Sequence, residues 1–222
     1  MLIAVEGIDG SGKGTQSRKI LDGLTSHGLS ASLVQFPRYS DTFFGSEIGQ
    51  YLNGEFGALM DVHPKLGALL YAGDRFESTD FIAAELAKCD VVVCDRYTPS
   101  NQAHHAAKLP QEQWLEFFEW VDKLEYGVFR VRRPDIVFFL DTDSSAASNL
   151  ISKKPPRNYT DRAADIHEID TNYQSNVHSA YQLLAERNSW ARISCSRDGA
   201  MKTEDEIFAL LWSHLKEKLE LV

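Results

Sequence analysis

The sequence predicts an α/β domain of three layers, a five-stranded parallel sheet with helices on both faces. Strand-like apolar segments recur at Leu2–Val5, Ala31–Gln35, Val91–Cys94, Ile136–Leu140 and Ala191–Cys195. Each is followed by a stretch long enough for a helix, the alternation that produces parallel sheets. The runs Val91-Val92-Val93 and Ile136-Val137-Phe138-Phe139-Leu140 do not alternate apolar with polar residues, as strands buried on both faces require. No segment has a linker-like composition and none repeats, so residues 1–222 read as one domain.

The first strand runs directly into Gly7-Ile8-Asp9-Gly10-Ser11-Gly12-Lys13-Gly14-Thr15. A glycine-rich turn between a strand and a helix cradles phosphate, because the free N–H groups and dipole of the helix N-terminus favour an anion. Gly7, Gly10 and Gly12 let the backbone approach that anion, with Asp9 and Ser11 between them. Lys13 supplies a point charge to the β- and γ-phosphates. The spacing G-x4-G-K therefore makes this a P-loop NTPase fold. The magnesium-binding hydroxyl that normally follows the lysine is replaced by Gly14, and Thr15, one place later, is assigned to the α/β-phosphates.

The following elements read in order. A first helix from about Gly12 to His27 turns Ile20, Leu21 and Leu24 inward and stops at Gly28. Phe36 to Gly57, rich in aromatics and glycine, has no regular pattern. A long helical pattern covers His63 to Lys88. From Gln111 to Leu124, Trp114, Phe117, Phe118 and Val121 form a stripe that faces a core. Residues 152–165 are polar, carry Lys153, Lys154, Arg157 and Arg162, and are interrupted by Pro155 and Pro156. A segment of this kind buries little and is expected to form a mobile lid, about residues 150–165. Thr203 and Glu206 have capping-box spacing ahead of a final helix with Ile207, Leu210, Leu211 and Leu215 on its apolar face.

A net charge of −9 and a pI near 5.2 argue against a nucleic-acid partner, which would select a basic face. The nucleotide is therefore expected to be a small molecule. Three scattered cysteines, Cys89, Cys94 and Cys195, provide neither a disulfide framework nor a zinc site. No apolar run has the length of a membrane span and no signal-peptide pattern is present, so the expected location is cytoplasmic.

In open α/β sheets ligands bind beyond the carboxyl ends of the strands. Asp9 follows strand one, Arg38 and Tyr39 strand two, Asp95-Arg96-Tyr97 strand three, and Asp141 strand four. Asp95, at the end of an apolar strand beside a phosphate loop, fits the role of holding Mg2+ through water. Arg96 fits contact with a phosphoryl oxygen between donor and acceptor. Arg38 and Arg75 are candidates to clamp an acceptor phosphate. Asp141 reads as structural.

Together GIDGSGKGT, FPRY, LLYAGDRFE, DRYTPSNQA and PDIVFFLD resemble the thymidylate kinases, in that family's order and over nearly the whole chain. The resemblance implies transfer of the γ-phosphoryl of ATP to dTMP, with ATP as donor, Mg2+ as cofactor and a homodimer as the assembly. It implies that Tyr71 stacks on thymine, that Arg75 reads the base edge, and that Arg38 holds the dTMP phosphate beside Tyr39, with Phe36 lining the base pocket. Asn101 and Gln102 lie where the family senses the base, and His104 where some members place a tyrosine near the deoxyribose.

The phosphate loop has no basic residue before Lys13, so the remaining transition-state charge is expected from the lid residues Lys153, Lys154 or Arg157. Asp9 and Asp95 are the leading metal candidates, and the resemblance adds Glu168. Lys13, Arg96, Asp95 and Asp9 form the expected catalytic group. Two other readings stay open: a kinase for another pyrimidine nucleoside monophosphate, and a P-loop nucleotide switch without acceptor chemistry.

Overall fold

The computed structural model describes residues 1–58, 60–142, 171–197 and 200–220. The expected lid, its Lys153, Lys154 and Arg157, and Glu168 lie outside the described residues.

The sheet has five parallel strands: β1 (Leu2–Glu6), β2 (Ala31–Gln35), β3 (Val91–Asp95), β4 (Ile136–Asp141) and β5 (Ala191–Ser194). Their order is β2-β3-β1-β4-β5, with Ile3 opposite Val93 on one side and Ile136 on the other. β1 is thus central, and the chain leaves it at the point where the order reverses. Sheets of this kind bind ligands at that point, beyond the carboxyl ends of the strands.

Alternation along each strand separates two cores. Ile3 and Val5 of β1 pack with Val91, Val93, Phe138 and Leu140 against α1 (Lys13–Ser26) and the C-terminal helix, through Ile20, Leu24, Ile207 and Leu211. Leu2 and Ala4 face the other way, with Val92 and Cys94, toward Ile82. Phe139 packs on that second face against Ala103, Phe117 and Tyr181.

Every expected strand is present to within a residue at its ends. α1 begins one residue later than expected, after Gly12, whose φ of 87° suits only glycine. Three helical expectations need correction. The stretch without a regular pattern contains α2 (Phe43–Leu52), which Thr42 caps by accepting from the Gly45 amide at 2.9 Å. Ile48, Tyr51 and Leu52 give it a buried face. The single helix over 63–88 is two, α3 (Pro64–Glu77) and α4 (Thr79–Lys88). The break is at Ser78, whose hydroxyl bonds the Asp74 carbonyl at 2.7 Å and competes with the helical ladder.

After α5 (Thr98–Ala106), the aromatic stripe begins in a 3-10 turn (Gln111–Gln113), continues as α6 (Trp114–Asp122) and widens to a π-helix over Lys123–Val128. The stripe is packing, since Trp114, Phe117, Phe118 and Val121 are all buried.

α7 (Thr171–Asn188) returns to β5. A short hairpin, β6 (Ser196–Arg197) and β7 (Ala200–Met201), then precedes α8 (Glu204–Leu219), whose Thr203–Glu206 capping box is complete.

Candidate active site

The phosphate loop is built by backbone geometry. Gly7 has φ 150°, and a Cβ there would lie 2.8 Å from the Leu140 carbonyl oxygen. Only glycine lets the loop turn this close to β4. Lys13 is buried and closes the loop, donating from Nζ to the Gly7 and Ile8 carbonyls at 2.9 and 2.8 Å. The Ser11 hydroxyl is buried with no hydrogen-bond partner. An orphaned donor in a cradle of glycine amides fits a phosphate oxygen. Gly14 and Thr15 form the first turn of α1, half-buried beside the cradle.

Two carboxylates flank the loop. Asp95 ends β3 and accepts from Gln35 Nε2 at 3.2 Å. A Cβ on Gly14 would lie 3.2 Å from Asp95 Oδ2, so the missing side chain at 14 brings the loop against this carboxylate. Asp9, in the loop itself, pairs with Arg96. Among the described residues no group of three or more His, Cys, Asp or Glu could enclose a metal. Mg2+ needs none, because it binds through one or two carboxylates with water and substrate phosphates. Asp9 and Asp95 fit that mode.

Arg96 is the node of the site. Its φ of 69° is left-handed, costly for a residue with a side chain and common where function holds the backbone. Its amide bonds the Val5 carbonyl at 3.1 Å, and the next amide, Tyr97 N, bonds Glu6 Oε1 at 2.7 Å. The Arg96 guanidinium points to Asp9 through NH2, and to His104 Nε2 (3.2 Å) and Ser100 Oγ (3.4 Å) through NH1. Burial works against its charge, but the acids around it, Asp9 foremost with Asp95 and Glu6, together hold Arg96 protonated.

Behind it lies Glu6, fully buried, which accepts from Tyr97 N, Ser100 Oγ (2.6 Å) and Tyr181 Oη (2.9 Å). Burial raises its carboxyl above the ordinary value, opposed by those donors and by Arg96.

A second array lies along α3, α5 and the π-helix. Arg75, expected at the base edge, is buried against Glu125, with Nε–Oε2 at 2.5 Å and NH2–Oε1 at 2.6 Å. Glu125 also accepts from Thr98 Oγ1 (2.8 Å) and Asn101 Nδ2 (2.7 Å). The other end of the Asn101 amide, Oδ1, is buried without a partner. Tyr71 meets His105 edge-on at 5.2 Å, and Phe36 lies under the Arg75 guanidinium at 5.9 Å. These residues put an aromatic, an amide and a fixed cation in one neighbourhood.

Some expected residues stand apart. Gln102 turns away from Asn101, its Nε2 bonding the Phe118 carbonyl and Asp122 Oδ1 on α6. Arg38 points to Ser78 Oγ, Asp41 and the Phe81 ring, and with Tyr39 lines an open cavity of about 600 Å³ between β2 and α2. Asp141 is tied to His178 and Arg192, as its structural reading expects.

Glu6 and Glu125 were not anticipated. The available signal was an acid closing an apolar strand, and another inside the aromatic stretch after the stripe.

Comparison with known proteins agrees with this geometry. A family model described as thymidylate kinase matches residues 5–207. The chain is 31% identical to a thymidylate kinase of Mycobacterium tuberculosis over 185 residues, 83% of this chain and 86% of that protein. It is 30% identical to a probable thymidylate kinase of Thermococcus kodakarensis over 223 residues, 98% of this chain and 100% of the relative. The solved structure of Candida albicans thymidylate kinase superposes with a TM-score of 0.75 at 23% identity, over 98% of this chain and 91% of that one, and shows the same fold. The match spans the phosphate loop, the Arg96 node and the Arg75 array alike, and the chain belongs to the thymidylate kinase family.

Proposed function

We propose that the chain transfers the γ-phosphoryl of ATP to dTMP, giving ADP and dTDP. The observation that carries the reading is the placement of Arg96. Its guanidinium is fixed at the mouth of the phosphate loop by Asp9 on one side and His104 on the other. A nucleotide switch without an acceptor has no use for a half-buried cation held there.

Phosphoryl transfer asks the protein for position and charge more than for covalent chemistry. The loop amides and Ser11 bind the donor phosphates, and Lys13 exchanges its two carbonyl contacts for them. Thr15 holds the α/β-phosphates. Arg96 spans the transferring group and the acceptor phosphate, and Arg38 and Tyr39 clamp the acceptor from the β2 side. Tyr71, Phe36, Arg75 and Asn101 form the base pocket, with the unpartnered Asn101 oxygen facing a donor such as a pyrimidine N–H. Asp9 and Asp95 would hold Mg2+, which when bound would supply positive charge against the phosphates.

The finer assignments complete the reading. A homodimer is supported by Leu66, Leu69 and Phe76, which are exposed on one face of α3 next to the exposed Phe43 of α2. The occupant is a second copy of the chain, and sedimentation separates dimer from monomer. No helix among the described residues is long and apolar enough to cross a membrane. The net charge of −9 supports small-molecule partners over nucleic acid, and free cysteines support a cytoplasmic location.

The test is ADP release with ATP, Mg2+ and a panel of monophosphates. Acceptor-dependent release highest with dTMP is expected. Equal rates with and without acceptor exclude the kinase reading, and a preference for CMP or AMP excludes dTMP.

A further inference from the structure

His104 stands on α5 with both ring nitrogens engaged. Nε2 is 3.2 Å from Arg96 NH1 and Nδ1 is 3.3 Å from Tyr173 Oη. The hydrogens follow from the chemistry of the partners. A guanidinium has donors and no acceptor, so Nε2 must present its lone pair. Nδ1 therefore carries the proton and donates to Tyr173 Oη, which donates in turn to the His104 carbonyl at 2.9 Å. Every hydrogen in this chain has one direction, and all of them require a neutral imidazole. A second proton on the ring would remove the acceptor and set an imidazolium against the guanidinium.

The groups around the ring bear on its charge from several elements. Arg96, from the turn after β3, opposes protonation directly. Tyr173 and Tyr181 of α7 face the ring at centroid distances of 6.2 and 6.1 Å. Glu6 of β1 lies one residue further, behind Ser100 and Tyr181, and Asp9 lies beyond Arg96. Both carboxylates act on the ring through groups that already bond them, whereas Arg96 touches it.

We propose that His104 is a positioning residue for Arg96, an acceptor that aims the guanidinium at the phosphate loop only while its imidazole is neutral. Asp9 fixes one end of the fork and His104 the other, where only the longer Ser100 contact stands beside it, so loss of the His104 contact lets the guanidinium rotate about the Asp9 bond. Phosphoryl transfer then loses alignment as pH falls through the His104 titration. This rests on the kinase reading above.

Three measurements test it. In long-range 1H–15N spectra of the wild-type protein at about pH 8, His104 should show a protonated Nδ1 and a bare Nε2, and a protonated Nε2 overturns the proposal. His104→Phe should lower kcat/KM for dTMP about tenfold at about pH 8 by misaligning the reacting groups, and His104→Gln, which keeps an acceptor, should recover it to within about threefold. Unchanged kcat/KM in His104→Phe, or no recovery in a folded His104→Gln, overturns it. The third is the acid limb of kcat/KM. The dTMP phosphate titrates near pH 6 in every variant, so the informative quantity is the difference. Wild type should fall more steeply than His104→Gln, which has no ring to protonate, and superimposable limbs overturn the proposal. If no monophosphate is phosphorylated, the kinase reading fails and the tautomer alone decides the geometry. If dTMP is phosphorylated and the limbs superimpose, only the role of His104 fails.

Discussion

Arg75 and Glu125 form a bidentate ion pair with almost no exposure, 2% and 0% for the two side chains. Their separation of 50 residues joins α3 to the π-helix. Burial disfavours the Arg75 cation, and Glu125 more than compensates, so the guanidinium stays charged inside the protein. Removing one partner of such a pair leaves an uncompensated buried charge, whereas replacing both with apolar residues of similar volume is often neutral.

That asymmetry separates scaffold from recognition. Glu125→Ala should cost about 3–5 kcal/mol in denaturant unfolding, because it leaves the Arg75 cation buried without its partner. The double variant Arg75→Met, Glu125→Leu should recover most of that stability. If Arg75 reads the base, the dTMP KM stays raised in the double variant while the ATP KM is little changed. Recovery of the dTMP KM along with stability would show that Arg75 is only structural.

Lys13 bonds the carbonyls of its own loop at Gly7 and Ile8, so its ammonium is already aimed at the cradle. Lys13→Ala should lower kcat about 10²–10³-fold, the size expected for one preorganised group at the developing charge. Equilibrium binding of dTMP, measured by calorimetry without ATP, should be preserved. A large loss of dTMP affinity would contradict the assignment of Lys13 to the donor side.

The strands and the phosphate loop were legible because both rest on local signals, an apolar run followed by glycines at fixed spacing. Arg96 was legible for the same reason, as the residue next to a strand end beside that loop. What lies behind Arg96 was not: Glu6 and its donor Tyr181 are 175 residues apart, and no local pattern connects them. Glu125 was hidden similarly, a single acid after an aromatic stripe whose partners come from α3 and α5. Asn101 and Gln102 show a geometric limit. Consecutive helical residues point about 100° apart, so the pair could not both face one ligand. The break at Ser78 and the helix at Phe43–Leu52 depended on a hydroxyl competing with or capping the backbone, an effect weaker than the composition around it.

Lys108 sits in the turn just after α5, buried, with its ammonium 2.5 Å from Tyr51 Oη and 5.2 Å from the centre of that ring. Among the described residues no carboxylate pairs with it. Burial accordingly lowers its pKa from 10.5 to about 8. The sign of the linkage follows. Between about pH 8 and 10.5 the unfolded chain holds a proton on this lysine that the folded protein has released, so stability attributable to Lys108 rises with pH across that window. Below about pH 8 both states are charged and the folded one bears the full cost of the buried cation. Lys108→Met, similar in volume and without charge, should therefore be more stable than wild type at neutral pH. The advantage should shrink as the pH is raised toward 10. Chemical denaturation of both proteins at about pH 7 and pH 9.5 measures this, and a stability difference independent of pH would show that Lys108 is charged in the fold throughout.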